Sequence, residues 1–114
     1  MDTRAQHLTL DIWLSATLED AHLEHIRRVV RSELTVLKTA QHQFEPHGLT
    51  EVFILSESHF TVHTYPEHNY LSLDCYVCNP QIDLEALAAR LLGCLPVGRI
   101  AKRVQDRGGP PPLL

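Results

Sequence analysis

Three strand-like runs sit close together between residues 52 and 77, joined by very short connectors, and nothing else in the chain narrows its fold so far. Val52-Phe53-Ile54-Leu55, Phe60-Thr61-Val62-His63-Thr64 and Tyr70-Leu71-Ser72-Leu73-Asp74-Cys75-Tyr76-Val77 are rich in β-branched and aromatic residues, the types that suit a pleated, half-buried surface. The hairpin-like Glu57-Ser58-His59 separates the first two runs, and the turn-forming Pro66-Glu67-His68-Asn69 separates the last two. Upstream, His7 to Leu14 has an apolar residue at every second position, the period of a strand with one buried face. From Leu18-Glu19-Asp20 onward, Leu23, Ile26, Val30, Leu34 and Leu37 recur three or four residues apart, which predicts one face of a helix capped by Asp20 or Thr17. His22, His25, Arg27, Arg28 and Arg31 then fall on its solvated back.

Pro46-His47-Gly48 reads as a turn after a short strand around His42-Gln43-Phe44. Asn79-Pro80 closes the third run, Ile82 to Leu92 reads as a second helix ended by Gly93, and Val97 to Val104 as a last strand. The order strand, helix, strands, helix, strand, with no internal repeat, predicts an α+β chain built as a two-layer α/β sandwich. Residues 1–107 form one domain on this reading, and 108–114, Gly108-Gly109-Pro110-Pro111-Pro112-Leu113-Leu114, a loose tail.

Length and charge exclude several classes of function. A 114-residue chain that is 44% hydrophobic buries a core, but a small one with a large surface around it, so oligomerisation would help it. A formal charge of -4 and scattered basic residues argue against nucleic acid or an anionic membrane as the main partner. No run approaches the apolar length of a membrane span, and Met1-Asp2-Thr3-Arg4 opens no signal peptide, so a cytoplasmic location is expected. Three cysteines, an odd number, read as free thiols.

Glu57-Ser58-His59, His63-Thr64-Tyr65-Pro66-Glu67 and Cys78 put a hydroxyl, an imidazole and a thiol at spacings one active site could use. Each also has an ordinary structural reading: Ser58-His59 as a polar turn, His63 as a hydrogen-bonded, partly buried histidine, Cys78 as a small buried apolar residue. Tyr65, Tyr70, Tyr76 and Cys94 read as packing. Eight histidines and Cys75-Tyr76-Val77-Cys78 raise the possibility of zinc. Residues three apart on a strand point to opposite faces, however, and His59 and His63 have helical spacing in a strand-like run. No metal site is therefore predicted.

Together these residues resemble the bacterial S-adenosylmethionine decarboxylase proenzymes, whose ESH, HTWPE and downstream cysteine here read ESH, HTYPE and CYVCN. The resemblance spans roughly residues 7–105 and is specific over 48–79. It implies a mainly antiparallel sheet with two helices on one face, pairing into a dimer. It also implies self-cleavage between Glu57 and Ser58, which turns Ser58 into a pyruvoyl cofactor that condenses with a substrate α-amine and draws electrons as CO2 leaves. His63 would be the processing base, Thr50 a second hydroxyl assisting the rearrangement where the family usually has serine, and Cys78 the proton donor. Phe44 would stack on adenine and the sulfonium, Glu67 would contact the ribose hydroxyls, and Tyr65 would stand in the substrate site. The implied reaction converts S-adenosylmethionine to the aminopropyl donor for spermidine.

The sequence departs from the family pattern at three places. Tyr65 replaces the tryptophan of HTWPE, Glu51 stands at a usual glycine, and Asn79 follows Cys78 where glycine is usual. Processing residues are kept better than ligand-binding ones, which leaves open a plain amino acid such as ornithine or arginine as substrate. An uncleaved, non-catalytic ligand-binding or regulatory homologue is the alternative of another class.

Overall fold

In the computed structural model, which describes residues 3–111, β1 (Ala5–Leu14) shows why the alternation becomes a sheet: Leu8, Leu10, Ile12 and Leu14 are buried, while His7, Thr9, Asp11 and Trp13 take the other face. The other elements are α1 (Asp20–Glu33), β2 (Val36–Gln43), β3 (Leu49–Leu55), β4 (Ser58–Tyr65), β5 (Tyr70–Val77), α2 (Leu84–Leu92) and β6 (Val97–Arg107). A single helical turn at Pro66–His68 links β4 to β5. The six strands lie in the order β2-β3-β4-β5-β1-β6, and every neighbouring pair is antiparallel. Short connectors make β3, β4 and β5 a meander, and the two helices carry the chain from the middle of the sheet to its edges.

Both helices pack on one face, giving the expected two layers. Ile26, Val29 and Val30 of α1 and Leu84, Leu87, Ala88 and Leu91 of α2 share one core with Phe53, Phe60, Val62, Leu71, Leu73 and Cys75 of the sheet. Phe53 and Phe60 meet edge to face across β3 and β4, with ring centroids 6.0 Å apart. Full burial of each such side chain contributes about 1.5–3 kcal/mol. Asp83 caps α2 by accepting from the Ala86 N–H. The cap of α1 is Glu19, in a reciprocal box with His22, because Asp20 is already the first helical residue.

Two differences from the sequence reading have simple causes. The helical face does not reach Leu37: α1 ends at Glu33, and Leu37 lies on β2, 65% exposed. Leu34 is already extended, and the β-branched pair Thr35-Val36 favours strand there. β2 is also longer than the short strand predicted around His42. As an edge strand it is almost wholly exposed and so carries no apolar alternation.

At the turn after β2, Gly48 has φ 109, and a Cβ there would stand 3.3 Å from the Thr64 carbonyl, so glycine alone fits without strain. Of the 108–114 tail, residues 112–114 lie outside the described residues. Gly109 hydrogen-bonds Thr3 through both its N–H and its carbonyl, which holds the end of β6 against the start of β1.

Candidate active site

The turn from β3 to β4 contains only Ser56 and Glu57, and β4 opens on Ser58 at φ 146, a conformation that L-residues rarely adopt. Such backbone costs on the order of 1–3 kcal/mol and persists only where its surroundings enforce it. Here they do. The Ser56 N–H donates to the Thr35 carbonyl at 3.0 Å, and the Thr35 N–H donates to Glu57 Oε1 at 3.1 Å. The Glu57 carbonyl oxygen accepts from the Cys78 N–H at 3.0 Å and from Cys78 Sγ at 3.3 Å. Ser58 is paired with Val77 across the sheet, so Ser58 and Cys78, twenty positions apart in sequence, become neighbours in space. Chemically, the arrangement draws electron density from one peptide carbonyl beside a strained residue that bears a hydroxyl.

The other sequence-predicted residues gather at the opposite end of the sheet, on or beside the face away from the helices. Thr50 and His63 are cross-strand partners there, with Thr50 Oγ1 2.9 Å from His63 Nδ1. Phe44, 48% exposed, follows β2, and its N–H bonds the Gly48 carbonyl. Tyr65 and Trp13 flank Tyr70, each ring 5.3 Å from it, and the Tyr70 hydroxyl donates to Asp11 at 2.5 Å. Burial, and then that hydrogen bond, push the Tyr70 phenol above its ordinary range. Glu67, in the turn after β4, stands 3.5 Å from His47.

The structure therefore joins Glu57, Ser58 and Cys78, and separately Thr50 and His63 with Phe44, Tyr65 and Glu67 at the same end, but it does not bring the two groups together. His63 lies five positions along β4 from Ser58, about 17 Å at a strand rise of about 3.4 Å per residue.

Sequence reasoning missed two clusters. On the helix-free face His7 Nε2 is 2.6 Å from Asp74 Oδ1, and His59 Nε2 is 3.5 Å from the same oxygen. The His59 ring stacks on Tyr76, and Arg107 lies over that ring from the far side strand. Only strand register could have placed these residues together. On the helix side, Glu51 is buried at 8% exposure, and Arg27 Nε donates to it at 2.8 Å while Arg27 also pairs with Glu24. Arg27 thus reaches into the sheet instead of lying on the helix back. Burial opposes its charge, but the bonds to Glu51 and Glu24 outweigh that and hold its affinity for the proton above the ordinary value. Cys78 lies just past the end of β5 and is exposed. Cys75 is buried, and desolvation, followed by Asp74 and Glu57, pushes its thiol up to about 12. It is an inert packing group.

A family model described as S-adenosylmethionine decarboxylase matches residues 6–108. The chain belongs to that family. A relative from Shouchella clausii named S-adenosylmethionine decarboxylase proenzyme is 40% identical over 88 residues, covering 73% of this chain and 68% of the relative. A Bacillus anthracis relative named S-adenosylmethionine decarboxylase proenzyme 2 is 38% identical over 98 residues, covering 78% of this chain and 80% of its own length. The crystal structure of the adenosylmethionine decarboxylase from Aquifex aeolicus superposes with a TM-score of 0.77 at 28% identity, covering 95% of this chain and 93% of that one. S-adenosylmethionine decarboxylase proenzymes are pyruvoyl-dependent, and the group arises from a serine by self-cleavage. Decarboxylation of a plain amino acid and a non-catalytic regulatory role, both open from the sequence, find no support among these relatives.

Proposed function

We propose that this chain severs itself between Glu57 and Ser58, converts Ser58 to a pyruvoyl group, and with it decarboxylates S-adenosylmethionine to the aminopropyl donor of spermidine synthesis. The observation that carries this reading is the Glu57 carbonyl, held by the N–H and thiol of Cys78 beside a serine at φ 146. A peptide carbonyl is a poor electrophile, and backbone strain with donors on its oxygen raises its reactivity.

The Ser58 hydroxyl adds to the Glu57 carbonyl carbon and the C–N bond breaks, so the amide becomes an ester. Thr50 and His63 relay the proton from the hydroxyl to the departing amine. Removal of the Ser58 Cα proton by His63 then expels the Glu57 carboxylate. The dehydroalanine that remains takes up water and loses ammonia to give the pyruvoyl ketone.

That ketone supplies an electron sink for loss of CO2 from an amino acid whose α-amine it holds. Cys78 returns a proton to the substrate Cα, a role suited to a thiol at the rim of a cavity. Phe44 stacks on the adenine and the sulfonium, Tyr65 and its aromatic neighbours wall the site, and Glu67 takes the ribose hydroxyls.

These roles require two copies of the chain, because His63 and Ser58 stand too far apart in one. Stacking two helix-free sheet faces about a two-fold axis that runs across the strands sets the Thr50–His63 end of each copy over the Ser58–Cys78 end of the other. Trp13, Ile54 and Tyr65 on that face, each 40% exposed or more, give such an interface its apolar surface. A cytoplasmic setting is supported by Cys75, Cys78 and Cys94, all free thiols.

The substrate is tested by measuring CO2 release from carboxyl-labelled S-adenosylmethionine, ornithine and arginine side by side. Release from S-adenosylmethionine alone is expected; release only from ornithine or arginine would overturn the assignment.

A further inference from the structure

Cleavage leaves behind a group that the family resemblance does not assign. The elimination that frees Ser58 places a negative charge on the new C-terminus at Glu57, where a neutral carbonyl stood before. We infer that this carboxylate stays in place, hydrogen-bonded to Cys78, and acts as the positioning group that keeps the hydrogen on the Cys78 sulfur for delivery to the substrate. The inference rests on the proposed self-cleavage and adds a role for its leaving group.

Three observations support it. The contacts that fix Glu57 do not pass through the severed bond: Ser56 N–H to Thr35 O at 3.0 Å, Thr35 N–H to Glu57 Oε1 at 3.1 Å, and Cys78 N–H to Glu57 O at 3.0 Å. Behind them, Leu55 is paired with Val36 on β2, so the cut end stays tied to the sheet. Cys78 Sγ is already 3.3 Å from the same oxygen, so the thiol need not move to meet the charge. A carboxylate accepts an S–H more strongly than a neutral carbonyl does, and its charge opposes ionisation of the sulfur.

Other charged groups lie near Cys78 but are engaged elsewhere. The cavity of about 700 Å3 beside it is lined by Arg4, Gln6, Asp106 and Arg107. Gln6 Nε2 holds Asp106 at 3.2 Å, and Arg107 lies over Tyr76 and within 3.1 Å of His7. Asp74 is engaged by His7 and His59. The Glu57 main-chain oxygen is the group in hydrogen-bond contact with the sulfur, its own side chain being committed to Thr35.

The test is the pH dependence of Cys78 alkylation by iodoacetamide, read by peptide mass, in the processed protein, the uncleaved Ser58→Ala protein and a processed Glu57→Ala protein. The processed protein should react with a midpoint about one pH unit or more above that of Ser58→Ala, the scale on which an adjacent charge acts. Glu57→Ala, which keeps the ketone but loses the Thr35 anchor, should fall back toward the Ser58→Ala midpoint, with kcat reduced several-fold and KM little changed. Equal midpoints in processed and Ser58→Ala protein would overturn the inference, as would a lower midpoint after processing. This comparison stands even if Glu57→Ala does not fold. Failure of the wild-type chain to cut at all would instead overturn the decarboxylase reading.

Discussion

The main-chain N–H and the thiol of Cys78 converge on the carbonyl oxygen of Glu57, at 3.0 and 3.3 Å. On the proposed cleavage, one residue would polarise the bond that breaks and afterwards stand beside the group that the break creates. Cys78→Ala keeps the N–H and removes the thiol. Self-cleavage should slow by about five- to tenfold, the loss of one net hydrogen bond of about 1 kcal/mol. Decarboxylation by whatever protein is processed should fall by about 100-fold or more, the scale of a lost general acid. Gel-based cleavage kinetics and CO2 release separate the two effects.

The separation of His63 from Ser58 predicts complementation between chains. His63→Ala alone should stay intact, and so should Ser58→Ala. Co-expressed, they should yield cut His63→Ala chains, because the Ser58→Ala copy supplies the missing imidazole across the interface. Cleavage in neither chain of the mixed dimer would exclude a site shared in this way.

How much of this was legible in the sequence depended on where each residue sat. The meander of β3, β4 and β5 was plain from period-two runs and short turns, because those strands have one buried face each. The Ser58 and Cys78 pair was legible as a spacing, since two antiparallel strands and one turn return the chain to its start. The nearness of His63 to Ser58 in sequence pointed the wrong way, for an extended strand carries neighbours apart. Edge strand β2 had no buried face to betray it, and the partners of Glu51 and Asp74 depend on register and helix placement, which no local pattern encodes.

Arg27→Ala strips the partner from a carboxylate buried under α1. Loss of one member of such a pair costs about 3 kcal/mol, so the thermal midpoint should drop by several degrees. Arg27→Met with Glu51→Leu, which removes both charges and retains volume, should recover most of it. A single substitution with no effect on the melting curve would contradict the burial of Glu51.

Cys75 predicts a stability slope at high pH. Its folded thiol, raised from 9.0 to about 12, stays neutral where the unfolded thiol ionises, so the unfolded state is favoured progressively as pH climbs from 9 toward 12. Tyr70, also raised, adds to the slope in the same direction. Urea midpoints should fall across that range, and native-state alkylation near pH 8 should label Cys78 and Cys94 but spare Cys75.

Phe44→Ala should raise KM for S-adenosylmethionine by about two- to thirtyfold, the equivalent of a cation–π contact of roughly 0.5–2 kcal/mol. Self-cleavage should be unaffected, since no ligand is present at that step. Unchanged KM would remove Phe44 from the substrate site.

The central claim is a broken backbone, and intact mass under denaturing conditions reads it directly. Purified protein should give two species, residues 1–57 with a free carboxyl end and residues 58–114 blocked by a ketone in place of an amine, while Ser58→Ala gives one. A single uncut wild-type chain that nonetheless releases CO2 from S-adenosylmethionine would contradict the account.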